Sequence, residues 1–182
     1  MIKFQSKLFI LITAVLISAC SEKKGNLFSK LSEGQTGIDF RNILNESDEM
    51  NVLKYSYFYN GGGVAIGDIN NDGLQDILFT GNMVKNRLYL NKGDFKFEDI
   101  TQTSGIADKQ GWCTGATMVD INGDGNLDIY INRSADIIPE RRKNLFFINN
   151  GNLTFTEKAA QYGLDDGGYS TQSSFFDFDK DG

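Results

Sequence analysis

Three short stretches of this chain set side-chain oxygens at fixed intervals around a glycine, a spacing suited to holding a hard cation. The first is Asp68-Ile69-Asn70-Asn71-Asp72-Gly73-Leu74-Gln75-Asp76, and the second is Asp120-Ile121-Asn122-Gly123-Asp124-Gly125-Asn126-Leu127-Asp128. A third opens as Asp177-Phe178-Asp179-Lys180-Asp181-Gly182. Carboxylates or amides at positions 1, 3 and 5 converge only if the backbone coils tightly. Glycine at position 6 permits that coil, because it reaches positive φ without steric cost. A carbonyl from position 7 (Leu74 or Asn126) and the aspartate at position 9 (Asp76 or Asp128) complete an all-oxygen, anionic shell. Such a shell suits Ca2+, which accepts flexible oxygen geometry more readily than Mg2+. The expected ligands are Asp68, Asn70, Asp72, Leu74 and Asp76 in the first loop, and Asp120, Asn122, Asp124, Asn126 and Asp128 in the second. Asp177, Asp179 and Asp181 begin the third.

Two other readings of these stretches fare worse. An EF-hand needs a bidentate Glu at position 12 between two helices, whereas position 12 here is Phe79 or Ile131. The flanks Gly63-Val64-Ala65-Ile66-Gly67 and Ile77-Leu78-Phe79-Thr80 are short, β-prone and punctuated by glycine. Plain Asp-Gly hairpin turns without metal would crowd several carboxyl and amide groups together with nothing to offset their repulsion.

The loops are parts of a larger duplication, the pattern that marks repeat architectures. They begin at residues 68, 120 and 177, which are 52 and 57 residues apart. A second block, Asn86–Phe97, recurs 58 residues later as Asn144–Phe155, and the extra residues fall in a longer loop at 134–143. Each unit of roughly 55 residues has room for four short strands, the blade size that propellers repeat four to eight times. Leu88–Leu90 and Phe95–Phe97 are expected to pair as a hairpin across Lys92-Gly93-Asp94. Leu88, Leu90, Phe97, Phe146, Ile148 and Phe155 are expected to form core between blades. The fold expected is all-β, a β-propeller with about two and a half blades in this stretch. Blades this few cannot bury both faces, so the chain reads as the front part of a longer protein. The expected divisions are a signal at 1–19, a tether at 20–26, an N-terminal segment at 27–59, and blades at 60–110, 111–166 and 167–182. A faint echo of the blade ends, Phe28, Leu31 and Gly37-Ile38, suggests that Leu27–Phe40 closes a ring by joining the last blade. A disordered tether is the alternative.

The first twenty residues read as an address. Lys3 and Lys7 precede the apolar run Leu8–Ile17, and Ser18-Ala19-Cys20 follows, the layout of an export signal. Ten apolar residues rise only about 15 Å as a helix, too little to span a bilayer. Ile17-Ser18-Ala19-Cys20 resembles a bacterial lipobox, which implies lipidation of Cys20; an ordinary cleaved signal is the other possibility. Export, with anchoring to the outer membrane or cell surface, is the expectation.

Composition narrows the remaining chemistry. The chain of 182 residues has a net charge of −6, which opposes nucleic acid as a partner because phosphate binding needs a basic face. It contains no histidine and only two cysteines, Cys20 and Cys113. That rules out Ser-His-Asp or Cys-His machinery and His-ligated zinc within this stretch.

Tyr59-Asn60-Gly61-Gly62-Gly63-Val64-Ala65-Ile66-Gly67-Asp68, followed by the loop, resembles the FG-GAP/VCBS repeat, the calcium-binding blade of integrin α-subunit-type propellers. The stretch from about Asn26 to Gly182 is similar to bacterial lipoproteins of the cartilage acidic protein/ASPIC-UnbV type. Its departures are a third loop without its ending and a less regular lead at Trp112–Ala116. The resemblance implies a calcium-binding propeller fold and no shared activity; the leading expectation for function is a non-catalytic scaffold, its loops held by calcium, that binds glycan or protein at the cell surface. Competing functions are the propeller part of a larger polysaccharide lyase or hydrolase, and a structural spacer. No unassigned carboxylate pair stands out as acid and base. Asp136, Glu140, Arg141 and Arg142 in the extended loop are available to a ligand, although a solvated face explains them as well.

Overall fold

The computed structural model describes residues 27–107, 111–136 and 138–180. The signal, Cys20, the tether and Asp181 lie outside the described residues. Two compact units are distinguished, 1–31 and 32–182. Of the first, only 27–31 are described, an irregular stretch in which Leu27 and Phe28 are exposed.

The second unit holds two four-stranded antiparallel sheets of the same design. In the first, β1 (Val64–Gly67), β2 (Asp76–Phe79), β3 (Arg87–Asn91) and β4 (Phe97–Asp99) lie side by side in chain order. In the second, β5 (Trp112–Val119), β6 (Asp128–Ser134), β7 (Leu145–Asn149) and β8 (Phe155–Glu157) do the same. The registers repeat as well: Ile77 faces Tyr89 as Ile129 faces Phe147, and Asn91 faces Phe97 as Asn149 faces Phe155. This is the all-β, blade-like architecture that the duplicated blocks imply. Each of the first two oxygen-rich loops joins the first strand of its sheet to the second, so strands rather than helices flank it.

The largest core lies between the sheets. Ala65, Leu78, Leu88 and Leu90 on one face of the first sheet meet Cys113, Ala116, Ile129, Ile131, Phe147 and Phe155 of the second. A fully buried side chain of this kind contributes about 1.5–3 kcal/mol relative to exposure. The opposite face of the second sheet supplies Tyr130, Phe146 and Ile148 to a smaller cluster with Phe175 and Leu164. Close approach of the innermost strands depends on glycine. A Cβ on Gly63 would lie 2.6 Å from the Thr114 carbonyl oxygen, and one on Gly115 would lie 2.5 Å from that of Thr171. The glycine-rich lead is therefore a packing requirement.

The hairpin in the first sheet differs in detail from expectation. Strand β4 begins at Phe97, and Phe95 sits in the turn at φ 56°, with its ring 71% exposed. The chain has five residues, Lys92–Lys96, to reverse, and the Lys92 amide reaches the Lys96 carbonyl to close the loop. Phe97 itself is only half-buried.

Each sheet ends in a single helical turn capped by a left-handed glycine. These are α2 (Thr101–Ser104) with Gly105 at φ 83°, and α4 (Ala159–Tyr162) with Gly163 at φ 68°. A further turn, α1 (Glu33–Thr36), ends in the same way at Gly37, φ 78°. Gly105 packs over the Phe155 carbonyl of β8, and Gly37 packs over the Phe97 carbonyl of β4. The segment from Ser32 thus lies against the first sheet as the end of the first sheet lies against the second. It forms no strand; Phe40 stacks on Phe79 at 5.0 Å, and Tyr89 donates to Asp39 at 2.6 Å. The stretch 51–60 adds an aromatic plug, with buried Phe58 and half-buried Tyr55 packed on Trp112 at the start of β5. A further short helix, α3 (Pro139–Arg142), lies in the long β6–β7 loop. There Arg141 pairs with Asp136, while Arg142 donates to the Gly167 carbonyl and covers the Tyr169 ring.

Candidate metal centre

In both complete loops, local hydrogen bonds turn the side chains of positions 1, 3 and 5 inward. The Asp68 carboxylate accepts from the amides of Asp72 (3.2 Å) and Gly73 (2.7 Å), and Asp120 accepts from Asp124 (3.1 Å) and Gly125 (2.9 Å). The Asn70 and Asn122 carbonyl oxygens receive the Asp72 and Asp124 amides, and their Nδ2 atoms donate to those residues' carboxylates. Asp72 accepts from the Leu74 amide, and Asp124 from that of Asn126. These bonds hold the Asp72 and Asp124 carboxyls below the usual carboxylate range. For Asp72 the Asn70 amide is the largest cause; for Asp124 it is the Asn126 backbone amide.

Two positions in each loop are left-handed, where glycine at position 6 alone was expected to be. Gly73 and Gly125 have φ 85° and 84°, but position 4 is left-handed as well: Asn71 at 60°, Gly123 at 68° and, in the third copy, Lys180 at 65°. Asparagine and glycine at position 4 were the available sequence signal, since both tolerate this region. In the third loop the first aspartate accepts a different local bond, from the position-4 amide of Lys180 to Asp177 at 2.6 Å. Asp179 is exposed beside it.

The position-9 aspartates behave differently. Asp76 and Asp128 are fully buried, and each carboxylate accepts two backbone amides. Asp76 takes Ile69 (2.9 Å) and Asn91 (2.7 Å); Asp128 takes Ile121 (3.2 Å) and Asn149 (2.8 Å). Each therefore ties the start of its loop to the third strand of its sheet. Burial pushes both carboxyls up, the amide bonds oppose that, and the charges of Asp68 and Asp72, or of Asp120 and Asp124, raise them further. Asn91 and Asn149 are the partners that loop spacing did not reveal. Their Nδ2 atoms hold the Gln75 and Leu127 carbonyls, and their carbonyl oxygens receive the Gly93 and Gly151 amides. Their identical place in the duplicated Asn86 and Asn144 blocks was the signal for them.

These donors fit a hard cation. Every candidate ligand offers oxygen, each oxygen used so far retains a second acceptor direction, and the like charges around each buried aspartate are the field a cation relieves. Among the described residues, no three acidic or cysteine side chains form a metal cluster by themselves. A cation held here would therefore need the Asn70 and Asn122 amides and main-chain carbonyls besides the carboxylates.

Residues 68–131, from the first loop through the start of β6, match the FG-GAP-like repeat family. Cartilage acidic protein 1 of Xenopus tropicalis is 34% identical over 87 residues, covering 48% of this chain and 13% of that protein. Its human counterpart is 33% identical over 81 residues, covering 44% of this chain and 12% of that protein. The match thus spans about an eighth of those relatives. Two sheets of one design, each threaded by the same loop, thus carry an FG-GAP-like repeat over residues 68–131.

Proposed function

We propose that this chain is the front of an exported, calcium-stabilised β-propeller that binds a glycan or protein ligand as a non-catalytic scaffold, anchored through lipidated Cys20 at the cell surface or outer membrane. The observation that carries the metal reading is the repeated loop geometry, with left-handed positions 4 and 6 and inward-turned oxygens at 1, 3 and 5. Calcium would be held by Asp68, Asn70, Asp72, Leu74 and Asp76, and again by Asp120, Asn122, Asp124, Asn126 and Asp128; Asp177, Asp179 and Asp181 start a third site. Bound there, it supplies loop order and no reaction chemistry. A scaffold role also agrees with how the prominent carboxylates are engaged. Asp76 and Asp128 hold loop amides, while Asp99, Asp136 and Asp165 pair with Arg87, Arg141 and Lys143.

Extracellular modules bind calcium with Kd of about 10⁻⁴–10⁻³ M, so saturation requires external concentrations. Melting of the full-length protein in chelator and in millimolar calcium tests this reading. An upward shift with calcium is expected by mass action, and identical melting curves would remove calcium from the account. Mass spectrometry of the mature N-terminus tests the anchor: an acylated Cys20 is expected, and a free N-terminus elsewhere defeats it. A glycan array with the exported protein, read with and without calcium, tests the ligand class. Among the described residues no helix is long and apolar enough to cross a membrane.

Ring closure belongs to the same reading. The α1–Gly37 segment sits on the first sheet where a preceding blade would place its outer end. Val64 and Ile66 beside it remain 53% and 61% exposed. We propose that a further blade, ending in Ser32–Phe40, seats on this face.

A further inference from the structure

The two complete loops touch. The Asn71 Nδ2, at position 4 of the first loop, donates to the Gly125 carbonyl (3.1 Å) and to the Asn126 Oδ1 (3.2 Å) of the second. Asn126 passes the contact inward, because its Nδ2 donates to the Asp124 carboxylate at 3.0 Å. A second, buried bridge runs deeper. The Ile69 amide donates to Asp76, the Ile69 carbonyl accepts from the Asn149 Nδ2 at 2.8 Å, and the Asn149 backbone amide donates to Asp128. Each position-9 aspartate is thus linked to the other through the backbone of one residue, Ile69, and one asparagine, Asn149.

Both bridges join groups whose placement the loop fold decides. Asn71 reaches across only while its backbone stays left-handed, at φ 60°. Ile69 lies between positions 1 and 3, so its carbonyl direction follows the coil of the first loop. Whatever orders the first loop therefore fixes the donor on Gly125–Asn126 and the acceptor that orients Asn149 on Asp128. Ordering one loop lowers the entropic cost of ordering its neighbour, which is coupling without any large movement. The second loop has Gly123 at position 4, with no side chain to extend the outer bridge to a following loop.

We propose that the first two loops take up their cations as a coupled pair, with Asn71 and Asn149 carrying the order of one loop into the other. This rests on the calcium reading above. The expected coupling is at the low end of the usual range, on the order of five-fold in affinity, because each bridge is a small number of hydrogen bonds.

Calcium titration of the full-length protein, followed by hydrogen exchange and mass spectrometry, reads the two loops separately through peptides covering 68–76 and 120–128. Asp72→Asn weakens the first site at an exposed position. It should raise the calcium midpoint for protection of the second loop by about five-fold. Asn71→Gly keeps the left-handed backbone, as Gly123 already does, and removes no proposed ligand. In that background the same shift should fall to about two-fold, with the inner bridge remaining. Asn71→Gly alone should draw the two midpoints apart, so the result does not depend on how well the Asp72→Asn protein folds. A second-loop midpoint indifferent to Asp72→Asn, with both loops still protected by calcium, overturns the coupling alone. A shift unchanged by Asn71→Gly overturns the role of Asn71. Parent protein with no calcium-dependent protection in either loop overturns the calcium reading and the coupling together.

Discussion

The two sheets share strand order, register and loop chemistry, yet the same positions experience different surroundings. In the second sheet, every residue of β6 and β7 is buried, because the first sheet covers one face and the chain at 170–175 covers the other. In the first sheet, β1 alternates between exposed and buried. Val64, Ile66 and Ile77 correspond through the repeat to Ala116, Met118 and Ile129. Ile66 is 61% exposed, whereas Met118 packs on the core and Ile129 is fully buried. Burial of a repeat is thus a property of its neighbour as much as of its own sequence, as expected for units that contact only adjacent copies.

The largest effect should come where both sheets agree. Asp128→Ala strips the acceptor from two backbone amides in a fully buried site, and a loss of about 3–5 kcal/mol is expected, since bonds to charged groups contribute about 1.5–3 kcal/mol each. Asp76→Ala should cost nearly as much. Denaturant unfolding of the full-length protein measures both; a cost below about 1 kcal/mol in either would mean the latch is not structural.

The second effect separates the sheets. Ile129→Ala should cost about 2–4 kcal/mol as a core truncation. Ile66→Ala in the same full-length protein reports on ring closure: about 2–3 kcal/mol if a further blade covers this face, under about 0.5 kcal/mol if it stays in solvent.

Titration sharpens the contrast further. Tyr89 stands where the second sheet has Phe147, and burial together with its bond to Asp39 pushes its hydroxyl up to about 12. A folded-state value raised above the ordinary 10.0 means that the contribution is complete below pH 10 and is lost as pH rises through about 12. The same bond lowers Asp39 below 3.8, so its contribution holds above that pH and is lost as pH falls through the depressed value. Tyr89→Phe should cost about 1 kcal/mol at neutral pH and flatten the alkaline limb of the stability profile. An unchanged alkaline limb would show that the Ser32–Phe40 segment is not held through this bond.

The smallest effect is expected at Arg41 and Glu33, an exposed pair at 3.3 Å in the same segment. Arg41→Ala should change stability by under about 0.5 kcal/mol. A larger loss in the melting midpoint would mean that charge, rather than Phe40 on Phe79 and Tyr89 on Asp39, secures the segment.

Much of this was determined by the sequence alone. The duplicated loops and blocks specified two equivalent units, because strand alternation, the turn glycines and the loop oxygens are local in sequence and repeat together. The capping glycines at Gly37, Gly105 and Gly163 were likewise visible as an echo, since a helix end that needs a left-handed residue favours glycine. Side-chain partners were not visible. Asn91 and Asn149 looked like ordinary strand residues, and nothing in 51–60 announced that Phe58 and Tyr55 would pack on Trp112. Phe95 read as strand because periodicity cannot count the residues a reversal needs. Only the tertiary structure decided that Asp76 and Asp128 are buried latches, that Asn71 bridges one loop to the next, and that Ile66 is exposed where Met118 packs on the core. The latches draw on amides 7 to 21 positions away across the strands of one sheet, while the Asn71 bridge and the unequal burial depend on which surfaces meet between sheets, where partners stand 54 or 80 positions apart, beyond the reach of local pattern.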